Sequence, residues 1–140
     1  MSSSLDIKNQ IITKLNAMQG LKTVSGYPVG NIDGKYPLAT VTLRRSSAQI
    51  RSTACNLRTR SYWIRVYQEV SKIGQGPEQA ERIIANLADE IEKAFDMDTT
   101  LSGVVQYCEP ISVNYTYRNR EHDIRTLEIQ LDTKELVSAS

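Results

Sequence analysis

Residues 57–70 alternate in the way a half-buried β-strand does. One set is Arg58, Arg60, Tyr62, Ile64, Val66 and Gln68; the other is Leu57, Thr59, Ser61, Trp63, Arg65 and Tyr67. Successive strand side chains point to opposite faces, so Tyr62, Ile64 and Val66 form one apolar face and Trp63, Arg65 and Tyr67 lie opposite. The first half of the run is polar on both faces. It predicts a strand that leaves the domain body.

An apolar strand face needs a covering layer. Two amphipathic segments can supply it. In residues 5–19, Ile7, Ile11, Leu15 and Met18 recur at helical spacing, with Ser4 as the expected N-cap and Gly20 as the expected stop. In residues 77–95 the stripe is Ala80, Ile84, Leu87, Ile91 and Ala94. Pro77 suits the first turn of that helix, and Glu78 and Glu81 suit its positive start.

The other strands are less regular. Residues 21–29 predict a short extended segment, followed by a loop marked by Gly26, Pro28, Gly30 and Gly34. Tyr36-Pro37 opens a strand over 38–43, and the polar, basic residues 44–56 predict a long hairpin loop or arm. Segments 104–107 and 111–117 read as strand interrupted by Pro110, an edge or bulge signal. In 123–136 the apolar frame shifts from Ile124 and Thr126 to Leu127, Ile129 and Leu131, which predicts a bulge. The expected fold is α+β: a single, mostly antiparallel sheet of about four main strands, two helices packed on one face, and a projecting basic hairpin. With 140 residues, 40% hydrophobic and 24% charged, the chain predicts one domain over 1–140 with its ordered core at about 5–136.

Charge is segregated. The net charge is +1, yet residues 34–68 contain no acid and carry Lys35, Arg44, Arg45, Arg51, Arg58, Arg60 and Arg65. Residues 69–98 hold eight acids against Lys72, Arg82 and Lys93. Such a surface steers an anionic partner or pairs head-to-tail with a copy of itself.

Catalytic, cofactor and metal constellations are not found. Cys55 and Cys108 stand far apart, and the single histidine, His122, falls in an expected hairpin loop. Structural zinc takes four Cys, His or carboxylate ligands. No phosphate-loop, dinucleotide or nucleophile-elbow pattern occurs. Gly74-Gln75-Gly76 ahead of the second helix reads as an ordinary helix-entry loop. The expectation is a non-enzyme without cofactor or metal. No apolar run reaches the ~20 residues of a membrane span, and residues 1–10 lack the pattern of a secretory signal. Basic residues interleaved with Tyr62, Trp63 and Tyr67 fit sequence-blind nucleic-acid contact, but neither helix is basic enough to read a major groove.

The order of elements resembles the tail terminator (tail completion) proteins of long-tailed bacteriophages over about residues 5–136. The segments that carry the resemblance are YPLATVTL at Tyr36-Pro37, RSYWIRVYQE spanning Tyr62 to Tyr67, the GPEQAERIIANLADEIEKAF helix, and Leu101-Ser102-Gly103 after it. The resemblance implies a small α/β structural virion protein that forms a hexameric ring on the end of the tail tube. Such a ring stops tube polymerisation and offers the head–tail connector its docking surface, while genomic DNA passes through the lumen. The implied partners are further copies, the tail tube protein, the connector and DNA, with no membrane. The implied location is the head-proximal tail end of the virion, and the host cytoplasm during assembly. Arg44, Arg45, Arg51, Arg58 and Arg60 are the expected partner or lumen contacts. Reversing charge at Arg58 and Arg60 is expected to weaken assembly without changing monomer melting. The competing readings are another connector, stopper or minor tail protein, a nonspecific nucleic-acid-binding domain, and a small-ligand module.

Overall fold

The computed structural model describes residues 3–26, 37–69, 76–118 and 124–138. The elements run α1 (Ser4–Asn16), β1 (Thr23–Ser25), β2 (Leu38–Ser52), β3 (Cys55–Glu69), α2 (Gly76–Asp96), β4 (Tyr107–Cys108), β5 (Ser112–Arg118) and β6 (Ile124–Ser138). Residues 27–36 and 70–75, and the hairpin loop expected at Asn119–His122, lie outside the described residues.

The sheet departs from expectation. It has six strands, ordered β1-β2-β3-β6-β4 with β5 also on β6, and it curls into a half-barrel. The expected sheet of about four strands with both helices on one face is therefore corrected. Two causes are visible. Residues 44–56 are not a loop: β2 and β3 continue through them as paired strands, from Leu38↔Tyr67 to Ser52↔Cys55. Short strands at both flanks, β1 and β4, raise the count. The helices then meet different parts of the curve, α1 against β1 and β2, α2 against β3 and β6.

β6 follows β3 without interruption from Glu69↔Ile124 to Cys55↔Ser138. The bulge expected in β6 is absent from this pairing. Thr126 and Leu127 are both buried because the sheet is covered on both sides there. Irregularities occur instead in β2, between Leu43 and Arg45 and between Ile50 and Ser52. Arg44 and Arg51 are the extra residues. β4 and β5 occupy successive stretches of the same β6 edge, with Glu109 N–H donating to Asp132 O at 2.9 Å between them. Pro110 sits at this break. β1 runs parallel to β2; all other pairings are antiparallel.

The N-cap of α1 is Ser3, one residue before the expected Ser4. Ser3 Oγ accepts from Asp6 N–H at 3.1 Å, and Asp6 Oδ2 accepts from Ser3 N–H at 3.2 Å, a reciprocal capping box. The helix ends at Ala17, not at Gly20. Gly20 is small for another reason: a Cβ there would lie 2.7 Å from Leu87 Cδ2, so α2 packs against the chain leaving α1. Lys14 Nζ bonds Asp98 Oδ2 at 2.9 Å and lies 5.7 Å from the Phe95 ring centre, tying the two helix ends together.

One core cluster joins both helices to the sheet. Ile7, Ile11 and Leu15 of α1, and Ile84, Leu87 and Ile91 of α2, meet Tyr62, Ile64 and Val66 of β3. Tyr62 donates its hydroxyl hydrogen bond to Ser4 O at 3.0 Å, and burial pushes its phenol up to about 12. After α2 the chain turns with positive φ at Leu101 (50°), Ser102 (58°) and Gly103 (88°). Left-handed backbone is costly for Leu and Ser. The turn is held by Asp98, whose carboxylate accepts from Ser102 N–H at 2.9 Å, and by full burial of Leu101.

Candidate functional site

The candidate surface is the three-stranded ribbon formed by the outer parts of β2, β3 and β6. Its strands are long, yet its outer end holds few buried residues. The structure separates the five arginines singled out by sequence.

Arg44, Arg45 and Arg51 are exposed, and all lie on β2. A bulge leaves one residue without a cross-strand partner and re-aims its side chain. At the first bulge the Arg44 guanidinium comes within 5.0 Å of the Trp63 ring centre. Arg65 approaches the same ring at 5.3 Å, so the indole carries two guanidinium groups. Aromatic faces attract cations in this geometry by about 0.5–1 kcal/mol at exposed sites. Arg45 pairs with Ser61. Arg58 is half-buried, with its NH1 3.4 Å from Ser46 Oγ.

Arg60 departs from the expected partner surface. It is 8% exposed, and its guanidinium lies 3.1 Å from Glu135 Oε1, itself 7% exposed. Thr133 Oγ1 donates to the Arg60 carbonyl at 3.2 Å. The sequence shows Arg58 and Arg60 at equivalent alternating positions. Glu135 lies 75 residues away, so their different burial has no local signal. Charge reversal at Arg60 would face the buried Glu135 carboxylate with a second anion, so lower melting is the expected outcome for this residue.

Two features lacked a sequence signal. One is an apolar cleft of about 360 Å³ near the hairpin tip, lined by Arg51, Cys55, Leu57, Gln106, Tyr107 and Leu136. Leu57 and Leu136 meet there because they are in register across β3 and β6. The other is the opposite flank of the sheet. Tyr115 of β5 is 48% exposed; partial burial raises its phenol first, and Glu92, Asp89 and Glu81 of α2 raise it further. The described surface is basic along β2, whereas beside β5 Asp89 and Glu92 lie near Tyr115 and Glu81 pairs with Arg125 Nε at 3.5 Å.

Among the described residues, no group of three or more His, Cys, Asp or Glu is placed to hold a metal ion. Cys55 and Cys108 are both unpaired thiols, and burial pushes Cys108 up to about 12. No described helix is long and apolar enough to cross a membrane. The arrangement offers charged flanks, a stacked indole and a tip cleft, which are means of binding. The chain matches no family model and no curated protein.

Proposed function

We propose that this chain is a structural virion protein, a phage tail terminator that rings the end of the tail tube, stops its growth and offers a docking surface to the head connector. One observation carries the reading: the two flanks of the sheet have opposite charge. Arg44, Arg45 and Arg51 line one flank, while Asp89 and Glu92 act on the other. A two-fold contact through the basic flank sets like charges together. A head-to-tail contact sets unlike charges together, and such contacts close into rings when the rotation allows. The projecting ribbon then reaches the tube or the DNA lumen. This reading requires no cofactor and no catalysis.

The test is solution mass by light scattering, negative-stain imaging, and addition of the chain to polymerising tail tubes. The expected result is a hexameric ring and tubes of arrested length. A monomer that leaves tube growth unchanged overturns the reading.

The Arg44–Trp63–Arg65 stack favours one alternative, sequence-blind nucleic-acid binding. In that case the isolated monomer binds duplex DNA and loses affinity steeply with salt.

A further inference from the structure

We infer that copies of this chain join through a shared β-sheet, the open edge of β2 in one copy pairing with the open edge of β5 in the next. The inference deepens the ring reading and rests on it.

β1 covers β2 only over Leu38–Thr40. From Val41 to Ser52, β2 pairs with β3 on one side and with no other strand among the described residues. Likewise β5 pairs with β6 and, among the described residues, with nothing beyond it. Every second residue of an edge strand turns its N–H and C=O outward, so each flank offers an unused row of backbone groups.

The sequence guards one of these edges against itself. Both bulges of β2 carry an arginine, Arg44 and Arg51, and Arg45 adjoins the first. Pairing β2 with β2 about a two-fold axis brings these cations together, a recognised protection against edge-to-edge association. The β5 flank has the opposite character: its exposed Tyr115 lies in the field of Glu92 and Asp89, while Glu81 there pairs with Arg125. Between the bulges, β2 keeps unbroken register from Arg45↔Ser61 to Ile50↔Asn56, a stretch about as long as the seven residues of β5. The sheet is also curled. A strand added at either edge continues that curvature, so one kind of contact repeats with rotation instead of stacking flat.

Hydrogen exchange on the full chain, compared between dilute monomer and the assembled fraction, tests this pairing. Amides in 41–52 and 112–118 are expected to gain protection together. A second arm changes charge. Asp89→Lys with Glu92→Lys should weaken association about tenfold, and adding Arg45→Glu should restore most of it. Equal melting of the monomeric variants shows that the fold is intact. Protection confined to other segments of an assembled ring overturns the shared sheet and leaves the ring reading standing. Protection of 41–52 alone, gained only on adding tail tubes, overturns self-pairing and assigns this edge to the tube protein. A chain that stays monomeric at every concentration and on tube ends overturns both.

Discussion

The two halves of the β2–β3 hairpin share the same strands and differ in almost everything else. In the body half, Leu38, Ala39, Thr40 and Val41 are all buried, opposite Tyr67, Val66, Arg65 and Ile64. In the outer half, Ile50 is 83% exposed and the neighbouring serines and arginines face water. Backbone pairing alone therefore does not fix where stability resides. Burial anchors the body half, at about 25 cal/mol per Å² of apolar surface removed from water. The outer half is held by ladder hydrogen bonds and by β6 alongside it, which leaves many of its side chains exposed.

Arg60 stands between the halves, and its removal is the sharpest way to break the contrast. Arg60→Ala leaves Glu135 buried without its guanidinium and should cost about 3–5 kcal/mol in denaturant unfolding. Arg58→Ala, two residues away, should stay within about 0.5 kcal/mol. Equal losses would erase the boundary between body and ribbon. The paired replacement Arg60→Met with Glu135→Leu should recover most of the loss, because no charge is then left buried.

A smaller effect tests the body side through pH. Asp98 is held below its ordinary carboxylate range, chiefly by the Ser102 N–H and then by Lys14. Its folded pKa is depressed, so its stabilisation is complete above the unfolded value and fades as pH falls through the folded one. Unfolding followed from neutral pH to below about pH 4 should show this loss in the parent and lose it in Asp98→Asn. That variant should be about 1 kcal/mol less stable at neutral pH, a value limited by the pair's partial exposure. An unchanged acid profile would remove Asp98 from the account of the left-handed turn. The smallest effect belongs to the tip. Ile50→Ser should move stability by less than about 0.5 kcal/mol, and a larger loss would place core packing at the hairpin end.

The helices were legible because each buries one stripe against a sheet, and that burial writes a periodic pattern. The body strands of β3 and β6 were legible for the same reason. The outer half of β2 was not. A strand solvated on both faces has no apolar alternation, so Arg44 to Ser52 carries the composition of a loop while adopting the geometry of a ladder. β1 and β4 fall in or beside segments read as extended, 21–29 and 104–107, but are too short to show a period and so stood outside the count of main strands. At the candidate surface, exposure of Arg44, Arg45 and Arg51 followed from their acid-free surroundings. The burial of Arg60, the two guanidiniums on Trp63 and the Leu57–Leu136 cleft depended on partners far along the chain.

The uninterrupted β3–β6 ladder also orders events in time. β3 is central in the finished sheet, yet its second neighbour, β6, is the last of the described strands in chain order. At ~5–20 residues per second, the 69 residues from the end of β3 to the end of β6 take roughly 3–14 seconds. During that interval the nascent hairpin displays Tyr62, Ile64 and Val66 beside an unfilled edge. Native contacts between distant segments also slow the final docking. The vulnerable moment for this protein falls during its own synthesis, when a chaperone or a neighbouring nascent chain competes with β6 for the same row of amides.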